Sequence, residues 1–99
     1  MEDDDEFMML DIGGAIRRLK RGEKITRFTW TQTMRNPFLI LVPGTDRVLT
    51  NPGTPYHNAG MDRATTEPRM DLITEGDKVV VGWTPSSEDV MAEDWCVVP

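Results

Sequence analysis

Residues 68–98 (PRMDLITEGDKVVVGWTPSSEDVMAEDWCVV) set the strongest constraint on the fold. Residues 69–73 alternate, which places Asp71 on the same strand face as Arg69 and Ile73. Residues 74–77 (TEGD) make a hairpin connection, because Gly76 tolerates a positive φ. A returning strand spans 78–83, and Pro85 ends it. Ser86 or Ser87 can cap a single helical turn through Glu88, Asp89, Val90 and Met91. A last strand over 95–98 closes the sheet. Trp83 and Trp95 bracket the polar segment TPSSEDVMAED. Either both indoles anchor the core of a small sheet, or they form one wall of a ligand pocket with small polar groups between them.

A chain of 99 residues makes one domain. At this size folding buries only about 60–65% of the unfolded surface, so the core is thin. Cys96 is the only cysteine and His57 the only histidine, which excludes a disulfide framework and a zinc site of Cys/His spacing. Oligomerisation is the remaining common support. A lone cysteine suits a reducing compartment. No apolar run reaches the roughly 18 residues of a membrane span. The chain opens Met-Glu-Asp-Asp-Asp-Glu, where a secretion signal is basic. The expectation is a soluble, intracellular protein with no membrane contact.

Acids outnumber bases 17 to 11, but five of the acids are Glu2, Asp3, Asp4, Asp5 and Glu6. The remainder is close to neutral. Residues 1–9 therefore read as an acidic, disordered, solubilising tail and residues 10–99 as the domain. A duplex nucleic-acid binder would carry a basic stripe, and none is visible. A mimic of DNA would need carboxylates spread over a folded face rather than gathered in a tail.

Residues 11–21 (DIGGAIRRLKR) read as a helix, with Ile12, Ala15, Ile16 and Leu19 on one face. Asp11 can cap its start, the cations of its second half suit its dipole, and Gly22 can end it. Gly13 and Gly14 each cost ~1 kcal/mol against Ala; they either admit a close neighbour or merely weaken the first turn. Residues 24–28 (KITRF) alternate as a strand. Residues 29–33 (TWTQT) should leave the sheet as a polar loop, where Trp30 stacks on a flat ligand or packs across a subunit interface. Asn36-Pro37 turns the chain. The continuous apolar run 38–42 (FLILV) implies a strand buried on both faces, by the helix and by another subunit. Residues 47–50 form a short strand, and 51–67 a long irregular loop that carries His57, a solvent-exposed histidine without catalytic partners. The fold class is α+β: one N-terminal helix packed on an antiparallel sheet of about five to six strands.

The helix followed by KITRFTW, then FLILVPG, then RMDLITEGDKVVVGW, then AEDWCVV resembles the second Thoeris anti-defence family, a small phage-encoded family. Four pieces in the same order, over residues 10–98, are more specific than any one of them. The chain departs from the family pattern in its acidic tail, in Phe28-Thr29 where a Lys-Gly pair often precedes the Trp, and in the loop 46–67.

The resemblance implies a sponge that binds a cyclic nucleotide immune signal, notably glycocyclic ADP-ribose, without cleaving it. It implies a homotetramer with pockets at subunit interfaces, a second site for cyclic dinucleotides in some members, no cofactor, and action in the host bacterial cytoplasm. The chemistry is compatible. Adenine suits an aromatic face, for which Phe28, Trp30 and Trp83 are candidates. Pyrophosphate suits a guanidinium, and Arg27 and Arg35 flank Trp30. Ribose hydroxyls suit Gln32, Asp71, Asp89, Asp94 and Ser86, with Ser87 as a further donor. Each has a structural rival: Arg27 in an ion pair, Asp71 paired with Arg69, and Asp94 and Glu93 capping the final turn. Two other classes remain open. One is a signal-cleaving enzyme using Asp71, Glu93 and Asp94, although no metal cluster, activated nucleophile or phosphate loop accompanies them. The other is a protein-binding inhibitor or structural module with no small ligand.

Overall fold

The computed structural model describes residues 9–99. The acidic run at 2–6, expected to be a disordered tail, lies outside the described residues. In chain order the elements are α1 (Ile12–Lys20), β1 (Lys24–Arg27), α2 (Phe28–Thr31), β2 (Phe38–Val42), β3 (Thr45–Leu49) and α3 (Pro55–Asn58). They continue with β4 (Arg63–Thr66), β5 (Arg69–Thr74), β6 (Lys78–Val80), α4 (Ser87–Met91) and β7 (Trp95–Val98). The fold is α+β, as its pattern predicts.

Asp11 starts α1 by accepting the Gly14 amide at 2.8 Å. Arg17, Arg18 and Lys20 occupy its last turn, where cations oppose the dipole. Gly14 answers the question of the paired glycines: a Cβ there would sit 3.2 Å from the Leu10 side chain, so its absence admits a close neighbour. Ala15 and Leu19, at helical spacing, carry the apolar face onto the sheet.

That sheet has five antiparallel strands in the order β6-β5-β2-β1-β7. Ile25, Leu39 and Leu72 stand in one row across β1, β2 and β5. They form the core with Ala15, Leu19 and Trp95. Because α1 packs on β1, β2, β7 and α4, the crossover from β6 to β7 runs over this same face. The face turned away from α1 carries Thr26, Phe38, Ile40, Val42, Asp71, Ile73 and Cys96. The strands β3 and β4 form a separate two-stranded arm, and the molecule measures 50 × 27 × 25 Å along its principal axes.

Four local expectations are corrected. The strand expected over 24–28 stops at Arg27, and the loop expected at 29–33 begins as the helical turn α2. Thr31 Oγ1 donates to the Phe28 carbonyl at 2.6 Å, a bond that polar residues make locally, and the Met34 amide continues the turn onto the Trp30 carbonyl. In β2 only Leu39 is buried, since α1 covers one face alone. The strand expected over 78–83 ends at Val80, and Gly82 turns the chain at φ 71°. Residues 51–67 are not irregular throughout. Thr54 caps α3 with Pro55 in its first turn, and Thr45 and Thr66 hydroxyls meet at 2.9 Å across the arm.

Candidate functional site

At one end of the sheet β1 delivers Arg27 into the layer beneath α4. Its Nε donates to Asp94 Oδ1 and its Nη1 to Asp89 Oδ1, both at 2.8 Å. Arg27 is 7% exposed. Its guanidinium pKa lies above the ordinary value, raised first by Asp94, against the cost of burial, and then by Asp89. Ser86 and Asp89 complete a reciprocal capping box on α4: Asp89 Oδ2 accepts from the Ser86 amide and hydroxyl, while Ser86 Oγ accepts from the Asp89 amide.

Trp30, Trp83 and Trp95 stack edge to face above this network, with centroid separations of 5.5, 5.3 and 6.4 Å. Trp95 is the core anchor, and its Nε1 donates to the Asp89 carbonyl at 3.0 Å. Trp30 and Trp83 are half-buried.

The structure therefore brings Arg27, Trp30, Trp83, Ser86, Asp89 and Asp94 together. It places the other sequence candidates elsewhere. Asp71 sits on the sheet face turned away from α1, accepting from Arg69 Nε at 2.9 Å and from the Gly82 amide at 3.0 Å. Phe28 and Gln32 are exposed on and just beyond α2. Arg35 is exposed in the β1–β2 connection. There it lines a cavity of about 550 Å³ with Asn36, Phe38, Glu75 and Gly76. Among the described residues no carboxylate pairs with Arg35, while Glu75 pairs with Lys78 at 3.1 Å. A second cavity, of about 430 Å³, lies across Phe38 and includes Lys24 and Thr26. Sequence reasoning missed Asn36, Phe38 and Glu75. The positive φ of Asn36 and Glu75 (48° and 51°) shapes this rim, and only the Asn-Pro and Glu-Gly pairs hinted at it.

Three carboxylates are held ionised. Burial opposes this for Asp94, but the Thr29 hydroxyl, Arg27 and the Thr29 amide outweigh it and bring its pKa down to about 2. For Asp89 burial is outweighed by Ser86 and Arg27, and for Asp71 by the Gly82 amide and Arg69; both lie below the usual range. Among the described residues no His, Cys, Asp and Glu side chains gather into a metal-binding cluster. No helix among the described residues is long and apolar enough to cross a membrane.

These features define a single-domain α+β protein: one helix-clad antiparallel sheet, a tryptophan-roofed ion-pair network at its end, and a projecting arm. The sequence model of the Thoeris anti-defense 2-like domain matches residues 10–98. The chain is also 30% identical over 92 residues to Thoeris anti-defense 2 of Bacillus phage SP01, covering 90% of this chain and 94% of that relative. The chain belongs to the Thoeris anti-defense 2-like family. Its role is accordingly phage anti-defence.

Proposed function

We propose that the protein is a sponge: it binds a cyclic ADP-ribose-type immune signal such as glycocyclic ADP-ribose and holds it uncleaved. The observation that carries this reading is the cavity at Phe38. It offers an aromatic ring, the Arg35 guanidinium and the Glu75 carboxylate in about 550 Å³. Those groups suit adenine, pyrophosphate and ribose hydroxyls respectively. Arg35 replaces Arg27 as the pyrophosphate contact, because Arg27 already engages two carboxylates. Trp30 and Trp83 instead pack edge to face with each other and with the core residue Trp95. The state of the acids supports binding over cleavage: Asp71 and Asp94, held as carboxylates by their partners, are poor proton donors.

The same reading includes a homotetramer whose neighbouring subunits complete the pocket, with cyclic dinucleotides as a further ligand class at a second site. The half-exposed Ile40 and Val42 supply apolar surface for pairing. The place of action is the bacterial host cytoplasm, without duplex nucleic acid or membrane. The projecting arm favours one rival, a protein-binding inhibitor, since Val48, Leu49 and Tyr56 are exposed on it.

One experiment separates the readings. The protein is incubated with glycocyclic ADP-ribose and filtered, and both fractions are chromatographed after heat release. Loss from the filtrate with intact release supports the sponge. A changed product makes the protein an enzyme. Passage of this ligand, of cyclic dinucleotides and of other ADP-ribose conjugates leaves the protein-binding inhibitor.

A further inference from the structure

Among the described residues, the non-glycine positions with positive φ are Asn36, Arg47 and Glu75, at 48°, 55° and 51°. Two of these three, Asn36 and Glu75, line the cavity of about 550 Å³ at Phe38. Asn tolerates this region because its short amide bonds the local backbone, whereas a Glu crowds its Cβ against the carbonyl. Glu75 and Gly76 (φ 88°) follow one another in the β5–β6 connection, a pattern that Asn-Gly or Asp-Gly ordinarily serves. Residues held in such backbone regions cluster at ligand clamps, where the side chain is needed for more than the turn. The ion pair that Glu75 makes does not account for the choice. Its Oε1 meets Lys78 Nζ at 3.1 Å, but the two side chains are 61% and 72% exposed, and an exposed pair contributes little.

We infer that Glu75 is the specificity-determining residue of the Phe38 cavity: it reads the vicinal diol of an unphosphorylated ribose and rejects a ribose that carries a further phosphate. This rests on the nucleotide reading proposed above and says which nucleotides the cavity takes. An ionised carboxylate is an acceptor only, and its two oxygens match two adjacent hydroxyl donors. A phosphate at that position brings acceptors and a like charge, so it meets repulsion in place of two hydrogen bonds. Arg35 is the cation among the lining residues and Glu75 the anion. Such a cavity fits a ligand whose negative charge is gathered at its pyrophosphate and whose ribose end is neutral.

The test is calorimetric titration of glycocyclic ADP-ribose into the full-length parent and three variants, with a thermal melt of each. Glu75→Asn suits the positive φ, so it should melt about 2–4 °C higher and yet bind about tenfold more weakly. Glu75→Gln keeps the length and the backbone strain; it should lose affinity on the same scale with no gain in melting temperature. Lys78→Gln removes the ion pair alone and should change neither quantity. Cyclic ADP-ribose 2′-phosphate, added as a competitor, should displace glycocyclic ADP-ribose from Glu75→Asn at concentrations that leave the parent loaded. Equal or tighter binding by both Glu75 variants, the result of a carboxylate that merely repels an anionic ligand, overturns the assignment. A competitor that acts on parent and variant alike, or on neither, overturns it too, as does a lower melting temperature in Glu75→Asn. A parent that binds no glycocyclic ADP-ribose defeats the nucleotide reading itself, and the role of Glu75 falls with it. A parent that binds, with Glu75 variants that bind as well, defeats the role of Glu75 alone.

Discussion

Asp94 serves as the N-cap of a helix that lies 65 residues earlier in the chain: its Oδ2 accepts from the Thr29 amide at 3.0 Å and from the Thr29 hydroxyl at 2.6 Å. Arg27, at the cap position of α2, gives no side-chain cap of its own. The Asp94 carbonyl takes the Phe28 amide, and its Oδ1 takes Arg27 Nε. One residue ahead of β7 thus fixes the end of β1, the start of α2 and, through α2, the place of Trp30. A four-residue helix has little stability of its own, so this external cap is what orders it.

Removing Arg27 should therefore be costly. Arg27→Met keeps much of the apolar stem but leaves Asp89 and Asp94 without their cation. Breaking one side of such a buried pair costs about 3–5 kcal/mol. Urea unfolding should show a loss at the lower end of that range, since the Asp94 side chain is 24% exposed and recovers some water. A loss under 1 kcal/mol would mean that the network contributes little to stability.

Acid should unfold the protein through the same groups. A carboxyl with a depressed folded pKa stabilises the fold above its unfolded pKa of about 3.9, and that stability disappears as pH falls through the folded value. For Asp94 the window runs from the usual carboxylate range down to about 2. Its share is about 2–3 kcal/mol, at roughly 1.4 kcal/mol per pKa unit. Asp71 and Asp89 shift in the same direction and add to the slope. Stability against pH should thus be flat above pH 5 and fall steeply below 4. Asp94→Asn should flatten the acid limb while lowering the plateau.

Trp95 and Trp83 should behave differently although both belong to one cluster. Trp95 is 1% exposed and donates to the Asp89 carbonyl. Truncation of a buried Trp to Ala costs about 3–5 kcal/mol. Trp83 is half-buried and joins the cluster edge-on, so Trp83→Ala should cost about half as much. Thermal melts of the two variants side by side read the difference, and equal losses would refute the division of roles.

What the sequence disclosed follows from how local each signal is. Helix α1 was legible because Asp11, the Ile12–Ala15–Ile16–Leu19 spacing and Gly22 all act within three turns. The α4 cap was legible from Ser86 for the same reason. The pairing of Arg69 with Asp71 needed only strand alternation. The role of Asp94 was hidden, because its partners Arg27 and Thr29 come from the far end of the chain and meet it only when β1 pairs with β7. The sequence offers Arg27 as a ligand contact because it lies near Trp30, with an ion pair as its structural rival, and the structure shows the ion pairs. The cavity at Phe38 was invisible for a similar reason: Arg35 and Glu75 lie 40 residues apart and are brought together by the β2–β5 register, in which Phe38 faces Ile73. Of the arm only β3 is legible, as a short strand over 47–50, because the four residues of β4 (RATT) lack apolar alternation and resemble loop.

The arm's attachment depends on Gly44. A Cβ there would collide with the Thr66 carbonyl oxygen and approach the backbone of Glu67 and Pro68 at 3.1 and 3.0 Å. Backbone cannot swing aside as a flexible side chain can, so Gly44→Ala should displace the arm at its root. Overpacking of this kind costs about 1–3 kcal/mol. Limited proteolysis should then cut within residues 45–66 well before the sheet unfolds. Cleavage no faster than in the parent protein would count against a tight root.

Arg35 and Arg27 make the final contrast, because the sequence placed them symmetrically around Trp30 and the structure does not. Arg35 is exposed, has no carboxylate partner among the described residues and lines the Phe38 cavity. Arg35→Gln should leave the melting temperature within about 2–4 °C of the parent, as surface substitutions usually do. If the guanidinium holds the pyrophosphate of a cyclic ADP-ribose ligand, the same change removes a forked, charge-assisted contact worth about 1.5–3 kcal/mol. Affinity for glycocyclic ADP-ribose should then drop between about tenfold and a hundredfold. Calorimetric titration of the two arginine variants, each checked for folding by circular dichroism, measures both quantities. Arg27→Met should lose stability first and binding only as a consequence, with osmolyte restoring both together. Arg35→Gln should lose binding alone, and osmolyte should not restore it. Unchanged affinity in Arg35→Gln would move the nucleotide site away from the Phe38 cavity and back towards the exposed edges of Trp30 and Trp83.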